Sequence, residues 1–455
     1  MDRKTLTGFI LIGAILLLWP SYLELISPSE KDSKELPSAD TAIVEKYSKQ
    51  DQKVLKKTGA PENNIESETL VVDGGSYVAQ INNLAGGSIF SFNLKKHLKS
   101  SEESLGLIDN QNKKNLVVSF INQSGEVVVL DELWSIVSGG SVVLSEENSS
   151  SSMVFETAYM GQPVTKKLTF YYNSYEVDVD VSLREIKESS LDEKYILSWV
   201  GGLPEHEGSQ DAMFMEGLVS QVGSIESFRV GSAGFFGSSN TKSTSEETKK
   251  YVGLVDFAGY RTKYFGVFFV PQKSDMVELY KYPSLTRAGV DINITQDINL
   301  EKNKLYLGPL DYTSVEALGV GLEEKILGWQ WLSSVSWLVY SIMILLYGLI
   351  PNYGVVVVLF AVLIKLVTYP LMAKQLRSSK KMQEISPIMN NIKIKYKNNP
   401  TLQQQKMAAL FQEHKINPLA GCLPLLIQMP VLMSVFMVFR NTIEFRGESF
   451  VFWIN

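Results

Sequence analysis

The chain has 455 residues, 45% hydrophobic and 20% charged, with a net charge of −6 and a single cysteine, Cys422. One cysteine excludes an intramolecular disulfide or a multi-cysteine metal site, and His97, His206 and His414 are scattered too far apart in sequence to form a metal motif. The overall charge conceals a mosaic: residues 373–416 carry nine Lys/Arg against two Glu, so this segment is +7 and the remainder −13.

At the N-terminus, Arg3 and Lys4 precede an uncharged run from Leu6 to Leu23. Eighteen residues at 1.5 Å each span roughly 27 Å, close to the hydrocarbon thickness of a bilayer. A cleaved signal peptide is the alternative, but the run is long for one and no A-x-A site follows. Residues 1–26 are therefore expected to be an uncleaved anchor whose leading positive charge holds the N-terminus in the cytoplasm, so that the following chain is exported. Residues 27–66 are charged, contain Ser and Pro, and carry too little apolar surface to offset ordering entropy; they read as a flexible linker.

From Thr69 the pattern becomes short runs rich in Val, Ile, Tyr and Phe, among them "NLVVSFIN", "SMVFETAYM" and "KYFGVFFVPQ". Alternation is clearest where Val177, Val179 and Val181 interleave with Asp178, Asp180 and Ser182. Turn signals at Asp73-Gly74-Gly75, Gly86-Gly87 and Gly139-Gly140 separate the runs. Residues 67–320 are expected to form a large exported antiparallel β-sandwich. With only His97 and His206 available and no evident carboxylate pair, catalysis in this domain is not expected.

Two apolar runs follow, residues 333–350 and 353–372, separated by Pro351 and Asn352. If both crossed the bilayer, the +7 segment would lie outside, against the positive-inside tendency. The first is expected to lie in the interface as an amphipathic helix (321–350). Ser334, Trp337, Tyr340, Ser341, Tyr347 and Gly348 would share one face, opposite Leu338, Ile342, Leu345 and Leu346. Residues 333–350 lack charges, so a spanning arrangement stays open. Residues 351–372 then form the second span.

Residues 373–416 are expected to be a cytoplasmic basic helical hairpin. Met382, Ile385, Met389, Ile392 and Tyr396 recur at helical spacing, as do Met407, Leu410, Phe411 and His414. Asn399 is the expected cap of the second arm, with Pro400 at its first position, and Pro387 is expected to interrupt and kink the first. The stripes could simply pair with each other, while the charge also suits anionic headgroups or ribosomal RNA without sequence preference. A third span, residues 417–440, carries Pro424, Gln428 and Pro430 and returns the chain outward into the start of an exported loop, 441–455.

Lys365 is the anomaly, a charge inside "VVVVLFAVLIKLVTYPLMAKQ". A centrally placed lysine costs on the order of 3 kcal/mol on insertion scales. Either its stem snorkels toward the cytoplasmic headgroups, or it faces a wet cavity with Ala361, Thr368 and Tyr369 on its face.

The string "INPLAGCLPLLIQMP" (416–430), with "YPLMAKQ" and "FVFWIN", is very similar to the third-span region of the YidC/Oxa/Alb family of membrane protein insertases, and the resemblance covers essentially the whole chain. It implies a periplasmic β-supersandwich similar to galactose mutarotases but without their chemistry, followed by an α-helical membrane core in a bacterial inner membrane. It further implies a hydrophilic groove open to cytoplasm and lipid, with Lys365, Thr368, Tyr369 and Gln428 as groove residues. Lys374, Arg377, Lys380, Lys381, Lys393, Lys395 and Lys397 of the hairpin would contact the ribosome and the signal recognition receptor. Nascent membrane proteins would be the substrates, the Sec translocon and the lipid bilayer the partners, and no cofactor, metal or specific nucleic acid sequence is implied. Two departures stand out: the family's usual groove arginine is Lys365, and a frequent groove threonine is Ala361. The family core has five spans after the exported domain and two are present, so the chain is expected to be truncated before the last three. A membrane-anchored carbohydrate-binding or isomerising module is the alternative reading, separable by deleting most of residues 69–315; a channel or transporter subunit is a third, testable by conductance.

Overall fold

A computed structural model describes residues 66–98, 104–108, 114–232, 241–242, 246–282, 289–328, 330–397, 399–414 and 423–447. The expected anchor, the linker up to Ile65, and Asn417, Pro418 and Cys422 lie outside these described residues.

Among them, the β-rich part builds two large sheets. A nine-stranded sheet runs in the order Ser224–Arg229, Glu216–Gln221, Phe257–Arg261, Phe265–Pro271, Lys302–Pro309, Glu176–Ser182, Gln162–Tyr171, Ser150–Tyr159, Ser135–Ser138. A six-stranded sheet runs Glu247–Val255, Ser274–Tyr282, Gly289–Asp297, Ser190–Trp199, Val117–Asn122, Val127–Leu130. Every pairing in both is antiparallel, as the alternation predicts. A five-stranded sheet that includes Thr69–Asp73, Tyr77–Asn82 and Ser88–Leu98 adds one parallel pairing, between Val72–Asp73 and Val142–Val143.

The core lies between the sheet faces. Val177, Val179 and Val181 are fully buried while Asp178 and Asp180 stay half-buried on the other face. Phe120 of the six-stranded sheet meets Tyr159 of the nine-stranded one edge to face at 5.0 Å. Tyr77 stacks on Phe92 at 4.6 Å and donates its hydroxyl to Tyr171 O at 3.2 Å, which ties in the smaller sheet. Of the turn glycines, Gly86 is doubly constrained: its φ is +73°, and a Cβ there would lie 2.5 Å from the buried Trp134 ring. Gly86→Ala is expected to lower the stability of this domain by about 2 kcal/mol. A urea midpoint equal to wild type would remove that role.

Past Pro309 the chain turns helical. Helix α1 (Tyr312–Glu316) is capped by Asp311, whose carboxylate accepts from Ser314 N at 2.8 Å. Helix α2 (Glu323–Ile326) follows, and Val315, Leu318, Leu322 and Ile326 belong to the β core. Then come α3 (Ser333–Leu349), α4 (Tyr353–Lys395), α5 (Pro400–Glu413) and α6 (Leu423–Asn441).

Two expectations change here. Helix α4 runs unbroken through Pro370 and Pro387, so Pro387 does not interrupt it. Its missing N–H leaves only the Gln383 carbonyl without a helical partner, on an exposed stretch where water can replace it. The expected aromatic face of α3 is also divided differently. Tyr340 is buried with Ser336, Val339 and Met343, and Tyr347 is partly buried, whereas Trp337 points outward with Leu338 and Leu345. The cause is partnership: Tyr340 donates to Glu444 at 2.7 Å, and Tyr347 stacks on Tyr353 at 4.1 Å.

Candidate functional site

Asn352 ends the turn after α3 and starts α4, its side chain accepting from Val355 N at 3.0 Å. The first half of α4 buries one stripe, Tyr353, Val356 and Phe360, against a small apolar cluster that includes Val339, Met343 and Val438. Val357 and Ile364 pack at the edges of that stripe, and the rest of the surface is bare: Val358, Val362, Leu366 and Val367 are each at least half exposed. Tyr353–Pro370 is the one helix among the described residues long and apolar enough to cross a membrane.

Lys365 is exposed on the outer flank of this helix, roughly 150° around the axis from the packed stripe at 100° per residue. Ala361 and Tyr369 share the flank and are exposed, and Thr368 is partly buried. The Thr368 hydroxyl donates to Ile364 O at 2.7 Å, so its proton is committed to its own helix and only oxygen lone pairs face outward. No carboxylate pairs with Lys365 among the described residues. Gln428 is partly buried on α6, and no hydrogen bond among the described residues joins it to the Lys365 flank. Three of the four expected groove residues thus share a helix flank, and the fourth stands on a neighbouring helix.

Past α4 the chain turns at Asn399 into α5. Asn399 caps α5, accepting from Leu402 N at 3.2 Å, with Pro400 at its first turn. Ile385 and Leu410 are buried between the arms, with Met382, Met389, Ile392 and Phe411 packed around them. The stripes therefore pair with each other. Arg377, Lys380, Lys381, Lys393, Lys395 and Lys397 all remain exposed, while the Lys374 side chain lies outside the described residues.

The segment after α6 was not recognisable as functional in the sequence. Ile443 is buried in the β core, Glu444 accepts from Tyr340, Phe445 packs on Tyr353 at 5.0 Å and Phe439 at 4.9 Å, and Arg446 pairs with Glu207 at 2.7 Å. Burial pushes the Glu444 carboxyl above its usual range, against the stabilising bond from Tyr340. The one local signal was a charge on either side of Phe445, in "IEFR".

Residues 69–340 match the family described as YidC periplasmic domain, and residues 345–455 match 60Kd inner membrane protein. Curated relatives named membrane protein insertase YidC include those of Prosthecochloris aestuarii and Chlorobaculum parvum. They are 29% and 30% identical, each aligned over 100% of this chain and 79% of the relative. That of Syntrophus aciditrophicus is 27% identical over 100% of this chain and 86% of its own length. Among solved structures, an alpha-galactosidase from Lactobacillus brevis covers 57% of this chain and 42% of its own, at 6% identity and a TM-score of 0.32, too low to carry an argument about fold or chemistry. With its β domain matched from end to end and a relative at 30% identity aligned along the whole chain, this protein belongs to the YidC family of membrane protein insertases, inner membrane proteins with a periplasmic domain.

Proposed function

We propose that the chain inserts and folds integral membrane proteins, alone or with the Sec translocon, through a hydrophilic intramembrane groove in which Lys365 receives polar parts of the substrate. The observation that carries this reading is a lysine on the bare flank of an apolar helix, with no carboxylate partner among the described residues. Such a charge is rare in lipid unless it meets water or a substrate. Thr368, Tyr369 and Gln428 extend the polarity of the groove, and no hydrolytic or redox step is involved. The groove lowers the barrier for moving a polar flank partway across, after which the apolar segment passes into lipid.

In this reading residues 1–26, 351–372 and 417–440 span, 321–350 lies at the interface, and 67–320 is periplasmic. The exposed cations of 373–416 contact the ribosome and the signal recognition receptor, since the apolar stripes of the hairpin are already spent on each other.

Lys365→Ala in the complete protein is expected to reduce insertion of a single-span substrate into vesicles several-fold, roughly the effect of removing one charge interaction of about 1 kcal/mol or more. Lys365→Arg should restore it. Full insertion by the alanine variant would leave Lys365 as a snorkelling residue only.

A further inference from the structure

Where α6 reaches the β domain, three cations surround one carboxylate, Glu216, and a fourth, Arg440, joins them beside Arg261. Glu216 stands in register between Arg229 and Arg261 on neighbouring strands, and Arg261 Nε lies 3.0 Å from Glu216 Oε1. Both members of that pair are over nine-tenths buried, yet the Arg261 Nε–H has no aligned acceptor. Lys325 of α2 approaches from the side, donating to Ser227 Oγ at 2.9 Å. Burial lowers its ammonium below the ordinary lysine range; Glu216 opposes that shift, and Arg261 and Arg229 add to it.

Arg440, in the last turn of α6, completes the group. Its guanidinium and that of Arg261 both lie over the Phe214 ring, at 4.8 and 5.8 Å, and Arg440 feels the charge of Arg261. Its hydrogen-bond acceptor among the described residues is the Met213 sulfur, at 3.6 Å. A half-buried arginine whose acceptor is a weak sulfur, beside a second arginine, is well suited to an anion. Among the described residues none of Arg229, Lys325 and Arg440 forms a direct ion pair, and Glu216, already paired with Arg261, is the carboxylate that acts on Lys325.

We propose that this cluster holds the phosphate of an anionic phospholipid from the exported leaflet. The placement selects a lipid over a soluble anion. Arg440 lies at 5.9 Å over Phe436, and Phe436, Leu432 and Met429 form a largely exposed apolar strip along α6 below it, suited to an acyl chain. The exposed Trp331 and Trp337, at the junction of α2 and α3, are residues favoured at headgroup depth. A net positive cluster at the exported end of a span also runs against the positive-inside bias, a disadvantage that a bound headgroup phosphate removes. The inference rests on the proposed topology, which puts the end of α6 outside.

The test is native mass spectrometry of the full chain in detergent, with phosphatidylglycerol and phosphatidylcholine at equal concentration. Wild type should retain phosphatidylglycerol preferentially. Lys325→Gln and Arg440→Gln should each lower that preference about fivefold, the effect of one cation near a headgroup. Unchanged preference in a Lys325→Gln protein that melts like wild type overturns the proposal, even should Arg440→Gln fail to fold. Displacement of the lipid by an equal concentration of inorganic phosphate overturns it in favour of a free-anion site. Lys365→Ala should keep the lipid preference, so a failed groove and a failed lipid site give different results.

Discussion

Replacing Lys166 with alanine is expected to lower the stability of the β domain by about 4 kcal/mol, the sum of a cavity and two stranded carbonyls. Lys166 lies in the middle of the strand Gln162–Tyr171, fully buried, with its ammonium 5.3 Å from the Trp134 ring centre. It donates to Ala85 O and Leu116 O, each at 2.5 Å. Both acceptor residues have left-handed backbones, with φ of +51° and +54°. One side chain therefore satisfies the carbonyls of two strained positions in neighbouring loops, which Ser88 and Asn115 also join. Burial pulls its pKa from 10.5 down to about 7.

The sign of the pH dependence follows. Between about 7 and 10.5 the unfolded chain binds a proton that the folded chain does not, so stability rises with pH across that window, by roughly 2 kcal/mol from pH 7 to 9. Lys166→Met keeps the stem and removes the titration, so its stability should lack that rise. Urea midpoints at both pH values, followed by tryptophan fluorescence, decide: equal slopes for wild type and Lys166→Met would mean that Lys166 stays charged when folded.

Lys166 also illustrates what a sequence discloses. It has the strand parity of Val164, Leu168 and Phe170, all fully buried, so its inward direction was readable from alternation, although a lysine is ordinarily assigned to a surface. The strands of the β domain were legible for the same reason, because period-two burial is a local property. The cap of α5 and the stripe of α4 were legible too, since Asn399 with Pro400, and Met382, Ile385 and Met389, each act within a few residues. The inward turn of Tyr340 was not, because its partner Glu444 lies 104 positions away and no helical periodicity encodes it. The flank of Lys365 followed from spacing, whereas the place of Gln428 relative to it depends on how α6 packs, which spacing leaves open.

Arg446→Ala is expected to release the segment after α6 from the β domain, at a cost of about 3 kcal/mol. The Arg446–Glu207 pair is mostly buried, with side-chain exposures of 14% and 21%, and removing the arginine leaves a carboxylate with its desolvation uncompensated. Arg446 also lies over the Phe265 ring at 5.7 Å, and the substitution removes that cation–π attraction as well. Four successive residues, Ile443 to Arg446, bind four different places: the β core, α3, the cluster of Tyr353 and Phe439, and Glu207. Loosening one end should free the rest as a unit. The Arg446 amide, bonded to Ile443 O at 2.8 Å, reports this: its exchange should quicken by about a hundredfold in Glu207→Ala, where the arginine amide remains but the anchor is gone. Exchange as slow as wild type would mean that Ile443 and Phe445 hold the segment without the ion pair. Gln428 lies thirteen residues from Asn441 on the same helix, about 20 Å along its axis, so α6 would lose its fixed outer end while Lys365 stayed on α4. If the proposed groove acts as described, insertion should then fall less in Glu207→Ala than in Lys365→Ala, because the lysine charge survives and only the position of α6 relaxes.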